Sequence, residues 1–154
     1  MSKDIQAVIL GASGYVGGEL LRLIAGHPNL ELAAAVSESC RGKPIADTFG
    51  HLSPAYGGAP FAGYDDWTET LEDGCNLALF SAAPHGSSAA LIAQALEHAA
   101  SRNMSVHVVD SSADFRYSNQ LDYEVVYGTE HGAPELLDQF FCALPEHAPT
   151  FNKP

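Results

Sequence analysis

The sequence predicts an α/β protein with a doubly wound, mostly parallel sheet and helices on both faces. Two observations carry this prediction. Short apolar runs of strand length alternate with segments of helical periodicity. In addition, Gly11, Gly14 and Gly17 recur at three-residue intervals directly after the first apolar run. Because parallel strands need crossover connections, this alternation favours strands joined through helices.

The predicted elements follow one another along the whole chain. A strand over residues 5–10 precedes a helix whose apolar face is formed by Leu20, Leu21, Leu23 and Ile24, and the turn at residues 26–29 ends that helix. The other predicted elements are strands over residues 30–36, 76–80, 105–109 and 140–144 and a helix over residues 87–102. Glycines and prolines make residues 37–65 an irregular crossover, with a short strand near residues 61–63 and a helical turn over 67–71 after it.

The glycine-rich segment is typical of a dinucleotide-binding β–α–β unit. Gly11 would end the strand in a tight turn, Gly14 would let the backbone approach a pyrophosphate, and Gly17 would let the helix pack closely. The N–H groups of the first helical turn, together with the helix dipole, would then face the anion. The alternative is a structural glycine turn in another kind of α/β protein.

Composition restricts the class of protein and its partners. The 154 residues, 46% of them hydrophobic, suit one globular domain. A formal net charge of -12 argues against a nucleic-acid surface. Cys40, Cys75 and Cys142 lack the spacing of metal ligands, and Cys142 lies in an apolar segment that predicts an inert core thiol. With neither a secretory signal nor a membrane-length apolar run, we expect a soluble cytoplasmic protein with no metal.

The loop after the second predicted strand bears on the choice of cofactor. In dinucleotide-binding folds this loop holds either an acidic residue for the ribose 2′-hydroxyl or hydroxyls and cations for a 2′-phosphate. Ser37 comes first here, and Arg41 and Lys43 follow, which favours NADP. Glu38 leaves NAD open, because its carboxylate would repel the phosphate if it turned inward.

Two further loops carry polar side chains at the predicted carboxyl edge of the sheet. Pro84 and His85 follow one strand, and Ser87 or Ser88 would cap the next helix. Asp110 to Arg116 follow another strand, and they contain two carboxylates, two hydroxyls and a guanidinium. They form either an acid–base pair or, as spacing favours, a self-satisfied loop in which Arg116 pairs with Asp114.

Taken together these loops resemble one enzyme family, N-acetyl-γ-glutamyl-phosphate reductase, which is related to aspartate-semialdehyde dehydrogenases. The resemblance covers nearly the whole chain, and it rests on residues 11–20, 83–86, 109–116, 127–128 and 134–137. It implies NADPH-dependent reduction of a small acyl phosphate to an aldehyde in arginine biosynthesis, through a cysteine thiolate, with a histidine as acid and base. It also implies a homo-oligomer for the full-length enzyme.

The resemblance implies cofactor positions within this chain but no catalytic ones. They are Gly11, Ser13, Gly14, Tyr15, Val16 and Gly17 at the pyrophosphate, Ser37, Ser39 and Arg41 near the 2′-phosphate, and Pro84, His85 and Ser112 on the nicotinamide side. In the family the nucleophile sits in a Pro-Gly-Cys motif just beyond the segment resembling Ala143 to Glu146. Cys142 does not match it, and the nucleophile and the histidine are expected beyond Pro154.

We therefore expect residues 1–154 to be a dinucleotide-binding domain, a fragment that binds NADP(H) without catalysing reduction. Two alternatives stay open at this point. One is a reductase of the same superfamily that acts on an aminoadipate-type or aspartyl phosphate. The other is a nucleotide-sensing module with no chemistry of its own.

Overall fold

The computed structural model describes residues 4–143, and in them four parallel strands form one sheet. The strands are β1 (Ile5–Leu10), β2 (Leu30–Val36), β3 (Asn76–Ser81) and β4 (Ser105–Asp110). The helices are α1 (Tyr15–Ala25), α2 (Ile45–Thr48), α3 (Ser53–Tyr56), α4 (Ser88–Ser101) and α5 (Gln120–Tyr127). Short 3₁₀ turns span Glu38–Cys40, Gly50–Leu52, Trp67–Thr70 and Pro134–Gln139. The predicted fold class is confirmed.

The strand order is β2-β1-β3-β4, so the chain leaves β1 toward one side of the sheet and later returns to its other side. Ala62 makes a parallel bridge with Val36 and extends the sheet beyond β2, close to the predicted short strand. Ligands of open parallel sheets bind at the carboxyl ends of the strands where the order reverses. Here that point lies between β1 and β3.

Each face of the sheet is covered by a different helix. Ala7 and Ile9 belong to a buried cluster with Leu21 and Ile24 of α1. Val8 and Leu10, which point the other way along the same strand, pack in a second cluster with Ile92 of α4. The two clusters confirm that helices lie on both faces. Among the described residues, no helix is long and apolar enough to cross a membrane.

Three predicted details are wrong. Leu23 is 53% exposed and lies outside the buried face of α1, because two residues advance a helix by about 200° and turn it away from Leu21. The predicted strand over 140–144 has no regular structure at residues 140–143, and residue 144 lies outside the described part. Phe140 instead stacks on Phe115 at 3.8 Å between ring centroids, while Phe141 and Cys142 are exposed. The prediction of a core thiol at Cys142 is therefore wrong as well.

The glycine turn requires the absence of a side chain at two positions. Gly11 has φ +73°, and a Cβ there would lie 2.6 Å from the carbonyl oxygen of Ala82. A Cβ on Gly17 would lie 2.5 Å from the carbonyl oxygen of Ala12. Both distances are far below a normal contact, so the strand–turn–helix closes only with glycine at these places.

Gly11→Ala is expected to lower the free energy of unfolding by about 2–4 kcal/mol, because it combines left-handed strain with a backbone overlap. Urea unfolding followed by circular dichroism measures the change. Gly74→Ala is the matched control, since Gly74 has φ +71° but a Cβ there meets nothing within 4 Å. The control isolates the backbone strain, so an equal loss in both variants would contradict the close-approach argument.

Candidate functional site

The glycine turn presents backbone donors that α1 does not use. Gly14 is the N-cap residue, with φ -78° and no side-chain cap, and the first helical bond runs from the Gly18 N–H to the Gly14 carbonyl at 2.9 Å. The N–H groups of Tyr15, Val16 and Gly17 therefore have no carbonyl partner within the helix. The first turn holds no acidic residue, and Tyr15 is 96% exposed. This donor set suits an anion such as a pyrophosphate.

A row of hydroxyls connects this turn with the end of β2. Ser13 Oγ lies 2.6 Å from Ser37 Oγ, which in turn lies 3.3 Å from Ser39 Oγ. The Ser39 hydroxyl donates to Cys40 Sγ at 3.9 Å. Ser37 is buried, whereas Ser39 is exposed, so the row runs from the interior to the surface. The structure thus brings Ser13, Ser37 and Ser39 together.

Arg41 lies beside this row but is surrounded by carboxylates. Its Nη2 lies 2.7 Å from Asp66 Oδ2 and 2.9 Å from Asp65 Oδ1, and its Nη1 lies 3.8 Å from Glu38 Oε1. The hydrogen bond to Asp66, followed by the charges of Asp65 and Asp66, raises the pKa of the guanidinium above its usual value. Glu38 also accepts the Tyr64 N–H at 3.2 Å. The cation predicted to favour a 2′-phosphate is thus an ion-pair partner, which sequence spacing did not reveal.

On the other side of the switch point, one buried carboxylate organises the loops after β3 and β4. Asp114 Oδ1 accepts the Gly86 N–H at 2.7 Å and the Tyr123 hydroxyl at 3.1 Å, and Oδ2 accepts the Ala89 N–H at 3.0 Å. Ala89 lies in the first turn of α4, so Asp114 acts as that helix's cap from a distant loop. The prediction that Ser87 or Ser88 caps α4 is wrong: Ser87, the N-cap residue, makes no capping hydrogen bond, and its hydroxyl donates to the Pro84 carbonyl at 2.9 Å, while the Ser88 hydroxyl donates to Asp110.

Asp110 and Ser112 complete the network. Asp110 accepts the hydroxyls of Ser88 at 2.8 Å and Ser112 at 2.6 Å, and the Ser112 Oγ accepts the Asp114 N–H at 3.1 Å. The prediction that this loop satisfies its own hydrogen bonds is therefore confirmed for its two carboxylates. Its predicted Arg116–Asp114 pair is wrong, since the Arg116 guanidinium donates to the Tyr127 hydroxyl at 3.2 Å.

Pro84 and His85 lie exposed on the same loop as Gly86. The His85 ring packs edge-on against Tyr127, with centroids 5.5 Å apart. Tyr127 therefore lies between His85 and Arg116, an arrangement that sequence analysis missed. In the sequence, this position of Tyr127 is signalled only by the Tyr127–Gly128 pair. Gly128 ends α5, and Asn119, eight residues before Tyr127, caps its start.

A buried histidine, His131, holds the backbone of the Asp114 loop through a hydrogen bond. His131 Nδ1 accepts the Ala133 N–H at 3.1 Å. Because Nδ1 is the acceptor, Nε2 carries the hydrogen and donates to the Asp114 carbonyl at 2.8 Å. The ring also packs edge-on against Tyr123. The Asp114 backbone and carboxylate are thus held by separate groups.

Asp114→Asn is expected to destabilise the fold by about 2–4 kcal/mol, because an amide offers one acceptor where the carboxylate supplies two. Thermal and urea unfolding measure the loss. Tyr123→Phe is the control: it removes one donor and is expected to cost about 1 kcal/mol. A smaller effect for Asp114→Asn than for Tyr123→Phe would show that the helix cap contributes little.

Cys40 is expected to react with iodoacetamide at lower pH than Cys75. Burial raises the pKa of the Cys40 thiol, but hydrogen bonds from Ser39, Thr48, Ser13 and Ser37 outweigh it and leave the pKa below its usual value. Burial raises the pKa of Cys75. Since the thiolate is the reactive form, the pH midpoint of alkylation should be lower for Cys40 than for Cys75. Peptide mass spectrometry across pH separates the two sites, and the reverse order would contradict the hydroxyl row.

Comparison with known proteins places this chain in a family. The family model described as semialdehyde dehydrogenase, NAD binding domain, matches residues 6–147. A LysW-L-2-aminoadipate/LysW-L-glutamate phosphate reductase of Aeropyrum pernix is 40% identical over 95% of this chain and 38% of its own length. The N-acetyl-gamma-glutamyl-phosphate reductase of Methanopyrus kandleri is 42% identical over 90% of this chain and 38% of its own length.

Two further similar proteins each match 92% of this chain. The N-acetyl-gamma-glutamyl-phosphate reductase of Pseudomonas syringae is 38% identical over 92% of this chain. A crystal structure of aspartate semialdehyde dehydrogenase with NADP from Candida albicans covers 92% of this chain and 42% of that one at 19% identity, with a TM-score of 0.49. The chain spans about 38% of the length of the curated relatives. Because the family model matches nearly all of it, the chain belongs to the semialdehyde dehydrogenase family, as its NAD binding domain.

Proposed function

We propose that this chain is the NADP(H)-binding domain of a reductase that converts N-acetyl-γ-glutamyl phosphate to the semialdehyde in arginine biosynthesis. The observation that carries the proposal is the uncapped first turn of α1, which lies at the switch point of the sheet with Gly14 exposed in front of it. Named relatives at about 40% identity support the substrate. A cytoplasmic location and a homo-oligomeric full-length enzyme remain predictions.

The proposed cofactor positions divide into two parts of the site. Gly11, Ser13, Gly14, Tyr15, Val16 and Gly17 would hold the pyrophosphate through backbone N–H groups. Ser37, Ser39 and Arg41 would meet the adenosine 2′-phosphate, and Lys43 supplies a second cation on the same loop. Pro84, His85 and Ser112 would line the nicotinamide side, with Ser112 contributing through Asp110 and Asp114 rather than as a free hydroxyl.

The bound cofactor would supply a hydride, and the residues of this chain would position it. None of the three cysteines matches the expected nucleophile motif. We therefore expect binding of NADP(H) without turnover by these residues alone. The LysW-L-2-aminoadipate/LysW-L-glutamate relative favours a second candidate substrate, an acyl phosphate linked to LysW. Assays of the full-length protein with both acyl phosphates would distinguish the two.

Gly14→Asp provides a direct test of the binding site. An aspartate at the N-cap stabilises a helix, and Gly14 has a φ that other residues adopt, so the variant should fold. Its carboxylate would occupy the free N–H groups and repel a pyrophosphate. We expect the unaltered chain to bind NADPH in calorimetry, and Gly14→Asp to weaken this binding by more than about tenfold without lowering the melting temperature.

Gly26→Asp is the control for charge, because Gly26 caps the other end of α1, about 18 Å away. NADPH affinity should stay within twofold of the unaltered chain. Equal weakening in both variants would assign the effect to net charge. Absence of NADPH binding to the unaltered chain would contradict the proposed function, and reduction of acyl phosphate by this chain would contradict the assignment of catalysis to residues elsewhere.

A further inference from the structure

The acidic surroundings of Arg41 form a defined structure, which we call the acidic clamp: Glu38, Asp65 and Asp66. Three carboxylates lie within 4 Å of one guanidinium. Each exposed ion pair of this clamp contributes little to stability on its own. The local effect of this arrangement is electrostatic, because the four side chains together carry a net charge of about -2 beside the hydroxyl row.

Backbone contacts hold the clamp in place. Asp66 Oδ1 accepts the Gly63 N–H at 2.7 Å, while Asp66 Oδ2 faces Arg41. A Cβ on Gly63 would lie 2.8 Å from the Arg41 guanidinium, so the guanidinium rests directly on the backbone of that loop. The Ser37 N–H donates to the Ala62 carbonyl at 2.9 Å, which fixes the loop beside the end of β2. The carboxylates thus lie at the place proposed for the adenosine ribose.

Asp65 and Asp66 differ in what they contact. Asp66 bridges Arg41 and the Gly63 backbone, and it positions the guanidinium. Asp65 contacts the same Nη2 atom, and its side chain is 72% exposed. A phosphate approaching Nη2 competes with Asp65, whereas a ribose 2′-hydroxyl neither needs that donor nor suffers the repulsion.

We propose that Asp65 is a specificity-determining residue that restrains the preference for NADP over NAD by occupying Nη2 of Arg41. The inference rests on the proposed function, because it presumes that the adenosine end of the cofactor lies at the hydroxyl row. Asp65 acts through Arg41, so it is a positioning residue rather than a ligand of the cofactor. Removing its charge weakens its competition with the 2′-phosphate for Nη2 and leaves the pyrophosphate turn unaltered.

The test compares NADPH and NADH affinities by calorimetry in the unaltered chain and in Asp65→Asn. We expect NADPH to bind on the order of three- to tenfold more tightly in Asp65→Asn, with NADH within twofold, and the gain to shrink at 1 M salt. Glu97→Gln on α4 is the matched control, since it removes one charge from the exposed side of a helix on the other part of the sheet. It should change neither affinity.

A double variant separates action through Arg41 from bulk electrostatics. In an Arg41→Gln background, Asp65→Asn should give less than half of its gain in NADPH affinity. A full gain in that background, equal tightening of NADH, or no change in NADPH affinity would overturn the inference while leaving the proposed function intact. Failure of the unaltered chain to bind either nucleotide would overturn both.

Discussion

The geometry of the loops after β3 and β4 depends on one buried carboxylate. Asp114 is 1% exposed, and its two oxygens accept three donors that come from the loop after β3, from α4 and from α5. A buried anion without such donors would cost several kcal/mol, so these elements are held in a single arrangement. Gly86 with φ +84° lets the backbone point its N–H at Asp114, and His85 takes its place against Tyr127 as a consequence.

The two halves of the site are built on different principles. At the glycine turn, close backbone approach excludes side chains and leaves N–H groups of α1 facing outward. At the ends of β3 and β4, the serines and aspartates are already bonded to one another. The glycine turn therefore offers N–H groups that can bind a ligand. The loops after β3 and β4 offer a surface whose polar groups already have partners. This division explains why a polar loop that resembles an acid–base site acts as a scaffold.

The features that the sequence predicts correctly are those whose signal lies within one element. The bounds of β1 and β2 and the helix over α4 follow from apolar periodicity, and the turn follows from glycine spacing. The features that the sequence does not predict depend on a partner far away along the chain. Arg41 meets Asp66 across 25 positions, and Asp114 meets Ala89 across the same separation. The apolar side chain at position 140 stacks on Phe115 and does not belong to a strand. No local pattern contains that information.

An acidic chain can still provide an anion site. The backbone dipoles of a helix end attract an anion at short range, whereas the net charge of the chain repels it over a longer range. The formal charge of -12 repels anions over roughly a Debye length, about 8 Å at physiological salt. The N–H groups at the start of α1 carry no net charge, and their attraction falls off within the first turn. An anion that reaches Gly14 is therefore bound by local geometry, whereas the field of the surrounding carboxylates governs its approach. Beside the end of β2, the carboxylates of the acidic clamp place a repulsive field within contact distance of the Arg41 guanidinium. Under the proposed function, cofactor choice is a balance between Arg41 and its own partners, superimposed on a pyrophosphate site that both nucleotides would share.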